Sequence, residues 1–246
     1  MIETNVGVTA RSKLSLLIFC LLFSGVSFCK TKNVIILFGD SITAGSPYTS
    51  GNIGGKRIGP VQEHLQTLLK ESGRDAVVLN FGWSGTTTRD AVHRLKDTLI
   101  AAKKLEPADY YYLAAMYGTN DSGVGISARE TQSNVELIID AARRENVTPI
   151  IGTITPKKRT NIWPVRPYNR SIFHAAKNKG ALLVDHNAKW LRGGFNLLSK
   201  DGLHPNKYGY ELIAYTWFNL AFESLIEPSE KPDTNYLTIV LSLLMN

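Results

Sequence analysis

Cysteine is nearly missing: the only two among 246 residues, Cys20 and Cys29, both fall in the first 29 positions. The rest of the chain therefore has no disulfide, no thiolate nucleophile and no cysteine metal site, and packing alone must hold it together. No pair of its five histidines stands at zinc-site spacing, so neither a metal nor any other cofactor is expected. Internal repeats and low-complexity blocks are absent too, which excludes solenoids and linker-like chains. No apolar run reaches the roughly 20 residues that a bilayer-crossing helix requires. The net charge of +7 is a mild excess. It fits a solvated basic face or an anionic partner, and with no nucleic-acid motif beside it no nucleic-acid partner is expected.

What is present divides into three parts. Arg11 and Lys13 precede an apolar run, Leu14 to Phe23, that ends in Ser24, Gly25 and Ser27. A basic flank, a short apolar stretch and a small-residue exit compose a secretory signal. Residues 1–29 are thus expected to be a leader, and the protein to be secreted, periplasmic or held at the cell envelope. Cys29 raises a lipoprotein reading, but bulky Phe28 stands where a lipidation site wants a small residue. Residues 30–226 suffice for one domain of ordinary size, at 43% hydrophobic content for the whole chain. Residues 227–246 are a polar linker (EPSEKPDTN) and a short apolar tail, Tyr236 to Met245. The tail is about half of a membrane span, and weak membrane-surface association through leader or tail is one expectation.

Within the domain, strand-length apolar runs alternate with stretches of helical period. Asn33 to Phe38 (NVIILF) is apolar nearly throughout, as in a strand buried on both faces. Ala76 to Asn80, Tyr110 to Met116, Val147 to Thr153 and Ala181 to Asp185 are further strands. Helices are expected at about 60–72, 88–104, 128–145, 167–179 and 205–226. Ser127 and Glu130 have capping-box spacing, and Val135, Ile138, Ile139 and Ala142 then form one apolar stripe. Pro205 suits the first turn of the last helix. This alternation predicts an α/β fold with a mostly parallel five-stranded sheet covered on both faces.

In such sheets functional residues gather past the carboxyl ends of the strands, and the conspicuous polar residues fall there. Gly39-Asp40-Ser41 follows the first strand, Gly82 to Gly85 the second and Gly118-Thr119-Asn120-Asp121 the third, while Asp201 and His204 precede the last helix. A serine hydroxyl is a weak nucleophile until a base takes its proton. Histidine titrates near neutrality and is the usual base. A carboxylate on its other nitrogen fixes the tautomer, and one short turn can deliver both Asp201 and His204. A tetrahedral oxyanion then needs fixed donors, for which the N–H groups of Ser41 and Gly85 and the amide of Asn120 are candidates. Asp40 reads better as a cap for its turn than as an acid, and Asp121 as a brace for its loop. Ser84 lacks the glycine two residues on that a nucleophile elbow needs, since Thr86 stands there. Asp185 and His186, adjacent at a strand end, point to opposite faces and do not form a relay.

FGDSITAG at 38–45, NFGWSGTT at 80–87, YGTND at 117–121 and DGLHPN at 201–206 together resemble the SGNH (GDSL-type) hydrolase family, in family order, over about Asn33 to Glu223. The resemblance implies a flavodoxin-like three-layer α/β/α sandwich and metal-free ester or thioester hydrolysis. It implies Ser41 as nucleophile, Asp201 and His204 as acid and base, and Ser41, Gly85 and Asn120 as oxyanion hole. The expected function is a serine ester hydrolase with an acyl-enzyme intermediate, acting on O-acetylated carbohydrate or on a longer acyl ester as a lysophospholipase or thioesterase does. An acyltransferase on the same triad and a non-catalytic carbohydrate-binding module are the alternatives. The substrate is expected to be a small-molecule or polysaccharide ester. A basic loop, Thr155 to Pro167 (TPKKRTNIWPVRP), departs from the family pattern. Lys157, Lys158, Arg159, Arg166 and Arg170 read either as a solvated cluster or as a site for an anionic substrate group. Trp163 and Arg166 are the candidate substrate-binding residues.

Overall fold

The computed structural model describes residues 31–48, 58–158, 165–193 and 195–229. The leader, Arg159, Trp163 and the apolar tail lie outside the described residues. Five parallel strands form one sheet: β1 (Asn33–Gly39), β2 (Ala76–Asn80), β3 (Tyr110–Met116), β4 (Thr148–Gly152) and β5 (Leu182–Val184), in spatial order β2-β1-β3-β4-β5. All seven residues of β1 are buried, which explains its unbroken apolar run: helices cover both faces, so no alternation is needed.

A single turn, α1 (Ser41–Ala44), follows β1. The longer helices are α2 (Pro60–Glu71), α3 (Thr88–Leu105), α4 (Ala128–Arg144), α5 (Val165–Lys179), α6 (His186–Gly193) and α7 (Lys207–Trp217). Helices α3, α4 and α5 pack side by side on one face, and α2 and α7 on the other. The stripe on α4 is buried as its spacing requires, at Val135, Ile138, Ile139 and Ala142. The three-layer α/β/α reading therefore holds. With this strand order the sheet is wound outward in opposite directions from β1 and β3, and the crevice past their carboxyl ends is where a doubly wound sheet binds its ligands. Among the described residues no helix is long and apolar enough to cross a membrane.

Local chemistry departs from the sequence reading in several places. Ser127 caps α4 by accepting from the Glu130 N–H at 3.2 Å, but the Glu130 carboxylate turns to Arg89, with Nη2–Oε2 at 2.9 Å. The full reciprocal box forms on α3 instead, between Thr87 and Asp90. Pro205 is not in the last helix. It bridges to Leu198, and Asn206 caps α7 by accepting from the Gly209 N–H. That helix does not run unbroken to 226 either: after Trp217 it widens into a π-turn, Phe218–Phe222, before a last turn, Glu223–Leu225.

Helix α6 begins directly after β5 where only a strand end is expected. Asp185 caps it, accepting from the Ala188 N–H at 3.0 Å and from the Thr153 hydroxyl at 2.9 Å. His186 is thus a helix residue, and Asp185 is kept from it by this capping role rather than by strand alternation. The imidazole is buried against Trp217, centroids 4.6 Å apart, and among the described residues neither nitrogen has a hydrogen-bond partner. Burial drives its pKa down from 6.5 to about 3. The native state keeps this ring neutral while the unfolded chain protonates it, so the His186 contribution to stability is level above about pH 6.5 and falls by up to about 1.4 kcal/mol per unit below it. His186→Leu should shrink the stability difference between pH 8 and pH 5 by about 2 kcal/mol. Urea midpoints at both pH values check this, and equal acid sensitivity in variant and parent would refute it.

Candidate active site

The GDS turn is built from its aspartate. Asp40 caps α1, its Oδ1 accepting from the Ile42 N–H at 2.9 Å. Ser41 becomes the first residue of that turn, 7% exposed. Asp40 itself is fully buried. Desolvation raises its pKa to about 6, opposed by the Ile42 N–H, the Thr119 side chain and the charges of His204 and Lys157.

The second block packs against this turn. A Cβ at Gly82 would stand 2.2 Å from the Ala44 nitrogen, so only glycine lets the two backbones meet. The Trp83 N–H donates to the Gly39 carbonyl at 2.9 Å. Gly85 is exposed with φ at +80°, open space where its Cβ would be. The third block carries Asn120, whose Nδ2 donates to the Thr86 carbonyl at 2.8 Å. That bond uses one amide hydrogen and leaves the other. Asn120 has φ −88° and ψ −21°, so it is not there to occupy a left-handed turn position. Asp121 is fully buried and accepts from the Thr88 N–H (3.0 Å) and from the hydroxyls of Thr88 and Thr131 (2.6 Å each). It fastens the loop to α3 and α4.

The last loop delivers Asp201 and His204 together. Asp201 Oδ1 accepts from the N–H groups of Leu203 (2.8 Å) and His204 (3.0 Å), while Oδ2 lies 2.7 Å from His204 Nδ1. His204 Nε2 lies 2.9 Å from Ser41 Oγ. Burial pushes the Asp201 pKa up, but the His204 ring, the two backbone N–H groups and the imidazole charge outweigh it and hold the carboxyl below its ordinary value. Ser199 N–H to His204 carbonyl (2.8 Å) and Lys158 N–H to Gly202 carbonyl (2.8 Å) close the loop.

Two further residues support this rim: Arg94, which the sequence reading missed, and Lys157, which it placed in a basic cluster. Arg94 on α3 donates to the Phe81 carbonyl at 2.5 Å, to the Gly39 carbonyl at 3.5 Å and to the Tyr117 hydroxyl. It thereby ties the segments that leave β1, β2 and β3, and its guanidinium lies 4.8 Å from the Phe38 ring centroid. Lys157 is not a solvated loop lysine: it is 3% exposed and donates to the Thr119 carbonyl at 2.5 Å. Burial lowers its pKa against the pull of Asp40 and Asp121. Arg166 and Arg170 lie exposed on α5. The structure brings Ser41, Asp201 and His204 into one hydrogen-bonded chain, and bonds Asn120 to the loop of Gly85. Among the described residues no cluster of three or more His, Cys, Asp or Glu side chains could hold a metal ion.

Solved structures with the same fold include a lipase/acylhydrolase from Enterococcus faecalis, at TM-score 0.66 and 23% identity over 80% of this chain and 99% of that one. An alpha/beta hydrolase, LAE5, from the metagenome of Lake Arreo, Spain, gives 0.63 at 24% identity over 77% and 94%. Axe2, an acetylxylan esterase from Geobacillus stearothermophilus, gives 0.61 at 21% identity over 77% and 93%. No curated protein matches the sequence itself. The profile of the GDSL-like Lipase/Acylhydrolase family matches residues 37–212, from the end of β1 into α7. With a match across most of its length, the chain belongs to the GDSL-like lipase/acylhydrolase family and is a carboxylic ester hydrolase.

Proposed function

We propose that the protein is an exported serine esterase that removes acetyl groups from carbohydrate through an acyl-enzyme on Ser41. The observation that carries this reading is the unbroken chain from Ser41 Oγ through His204 to Asp201, at 2.9 and 2.7 Å. His204 Nε2 takes the serine proton as Oγ attacks the ester carbonyl. Asp201, ionised over the working range, holds Nδ1–H and favours the imidazolium that forms. The N–H groups of Ser41 and Gly85 and the remaining hydrogen of the Asn120 amide receive the developing oxyanion. Collapse expels the alcohol, which takes its proton from His204. Water then enters by the reverse sequence and releases acetate.

Carbohydrate as the alcohol is favoured by the likeness in fold to an acetylxylan esterase. Export rests on the leader pattern at 11–27. One set of spectra tests the acyl-enzyme and the export. Stopped-reaction mass spectrometry with p-nitrophenyl acetate should find an acetyl group on the peptide carrying Ser41, and the intact mass of the exported protein should lack the leader. Acetyl on another residue, or no covalent species during turnover, would overturn the mechanism; a full-length mass would overturn cleavage.

A further inference from the structure

Trp83 is large, apolar and 52% exposed, two residues before Gly85 in the same loop. Its position is fixed rather than incidental. The backbone N–H is held by Gly39, the carbonyl accepts from the Thr86 hydroxyl at 2.6 Å, and the Arg94 guanidinium stands 5.3 Å from the ring centroid. The neighbouring Ser84 hydroxyl, exposed, lies 3.3 Å from that of Ser46. Ser46 is in turn anchored through its carbonyl by the Tyr210 hydroxyl at 2.5 Å. Tyr48, two residues beyond Ser46, is 54% exposed and edge-on to Tyr210, centroids 5.9 Å apart. Two exposed aromatic rings therefore flank a pair of hydroxyls on the side of the GDS turn.

We propose that Trp83, with Ser46 and Ser84 beside it, is the docking platform for the sugar ring of the ester's alcohol portion, and that Tyr48 extends it. The proposal rests on the carbohydrate esterase reading above and gives that site its recognition element. An ester carbonyl held at Ser41 and Gly85 leaves its alcohol pointing outward from the buried turn. Two residues of chain reach at most about 7 Å, so a pyranose on that alcohol comes within reach of the indole. A rigid aromatic face takes the C–H face of a sugar, while the serine hydroxyls meet its equatorial hydroxyls. A hydrocarbon chain would gain the ring but strand the hydroxyls, so the surface favours a hydroxylated ligand over a lipid.

The test uses the whole exported protein, with p-nitrophenyl acetate and acetylated xylotetraose as paired substrates. Trp83→Ala should lower the ratio of kcat/KM for the oligosaccharide over the nitrophenyl ester at least tenfold, chiefly through KM, and Trp83→Phe should recover most of it. Calorimetry on Ser41→Ala reads binding apart from turnover: it should bind acetylated xylotetraose, and Ser41→Ala/Trp83→Ala at least tenfold more weakly. An unchanged ratio, or equal binding by both calorimetric variants, overturns the platform. Cleavage of the nitrophenyl ester with no binding or cleavage of the oligosaccharide also overturns it while leaving the esterase standing. Oligosaccharide binding that depends on Trp83 in a protein that cleaves neither substrate would overturn the esterase mechanism and leave the platform.

Discussion

Ser41→Ala should lower kcat for p-nitrophenyl acetate by about four orders of magnitude or more, with a thermal midpoint close to the parent's. In the proposed mechanism the Ser41 oxygen is the atom that bonds to carbon, so no neighbour can substitute for it. Asp201 and His204 without a nucleophile offer only general-base help to water, and the oxyanion donors account for what residual rate survives. The substitution is structurally mild. Ser41 is 7% exposed, and among the described residues its side chain makes one hydrogen bond, to His204. The imidazole can turn that nitrogen to water, since the His204 side chain is 19% exposed. Rates and melting curves on the same preparations decide. A variant that keeps a tenth of the activity while melting normally would mean that Ser41 is not the nucleophile.

Arg94→Met should be nearly as informative, because Arg94 touches no reacting atom. Methionine keeps only the aliphatic stem: it is shorter and uncharged, so it loses the cation–π contact with Phe38, takes the guanidinium donor from the Phe81 carbonyl and leaves the Tyr117 hydroxyl with Thr86 alone at 3.5 Å, while the Gly39 carbonyl keeps the Trp83 N–H. Tyr117 is buried enough that desolvation lifts its pKa to about 12, with Arg94 opposing. Leaving such groups unpaired costs about 1–3 kcal/mol each, less where water reaches them, so a total loss of about 2–4 kcal/mol is expected. The segments that Arg94 joins carry Ser41, Gly85 and Asn120, and a displacement of about 1 Å among reacting groups costs about a hundredfold in rate. The variant's kcat should fall ten- to a hundredfold at a temperature where it is fully folded, with KM changed far less. Arg94→Lys should recover little, since an ammonium cannot fork across several acceptors. A protein that melts lower yet turns over normally while folded would reduce Arg94 to a purely stabilising role.

The sheet was legible because each strand is short and apolar, and β1 to β4 end at or just before a glycine. The site was legible because its chemistry falls into local blocks whose spacing survives in the chain. What the sequence hid is tertiary. Arg94 lies on a helix, 13 residues from Phe81 and 55 from Gly39, and nothing in its own neighbourhood marks it. Lys157 reads as solvated because lysines next to Lys158 and Arg159 usually are, and only the fold shows the carbonyl and the two carboxylates around it. Trp83 was overshadowed by the serine beside it, although an indole in a glycine-flanked loop has little local core to enter. Helix α6 escaped because it starts one residue after Asp185, with no linker to signal the change of period.

His204 reaches Ser41 across 163 positions of chain, whereas Asp201 is three positions away. Asp201 and His204, the proposed relay, emerge from the ribosome together near the end of the domain; Ser41, the proposed nucleophile, emerges near its start. An amino-terminal portion that has already folded β1 through β4 still holds an inert alcohol. Activity thus arrives in a single late event of synthesis, when the loop before α7 closes over a turn made long before.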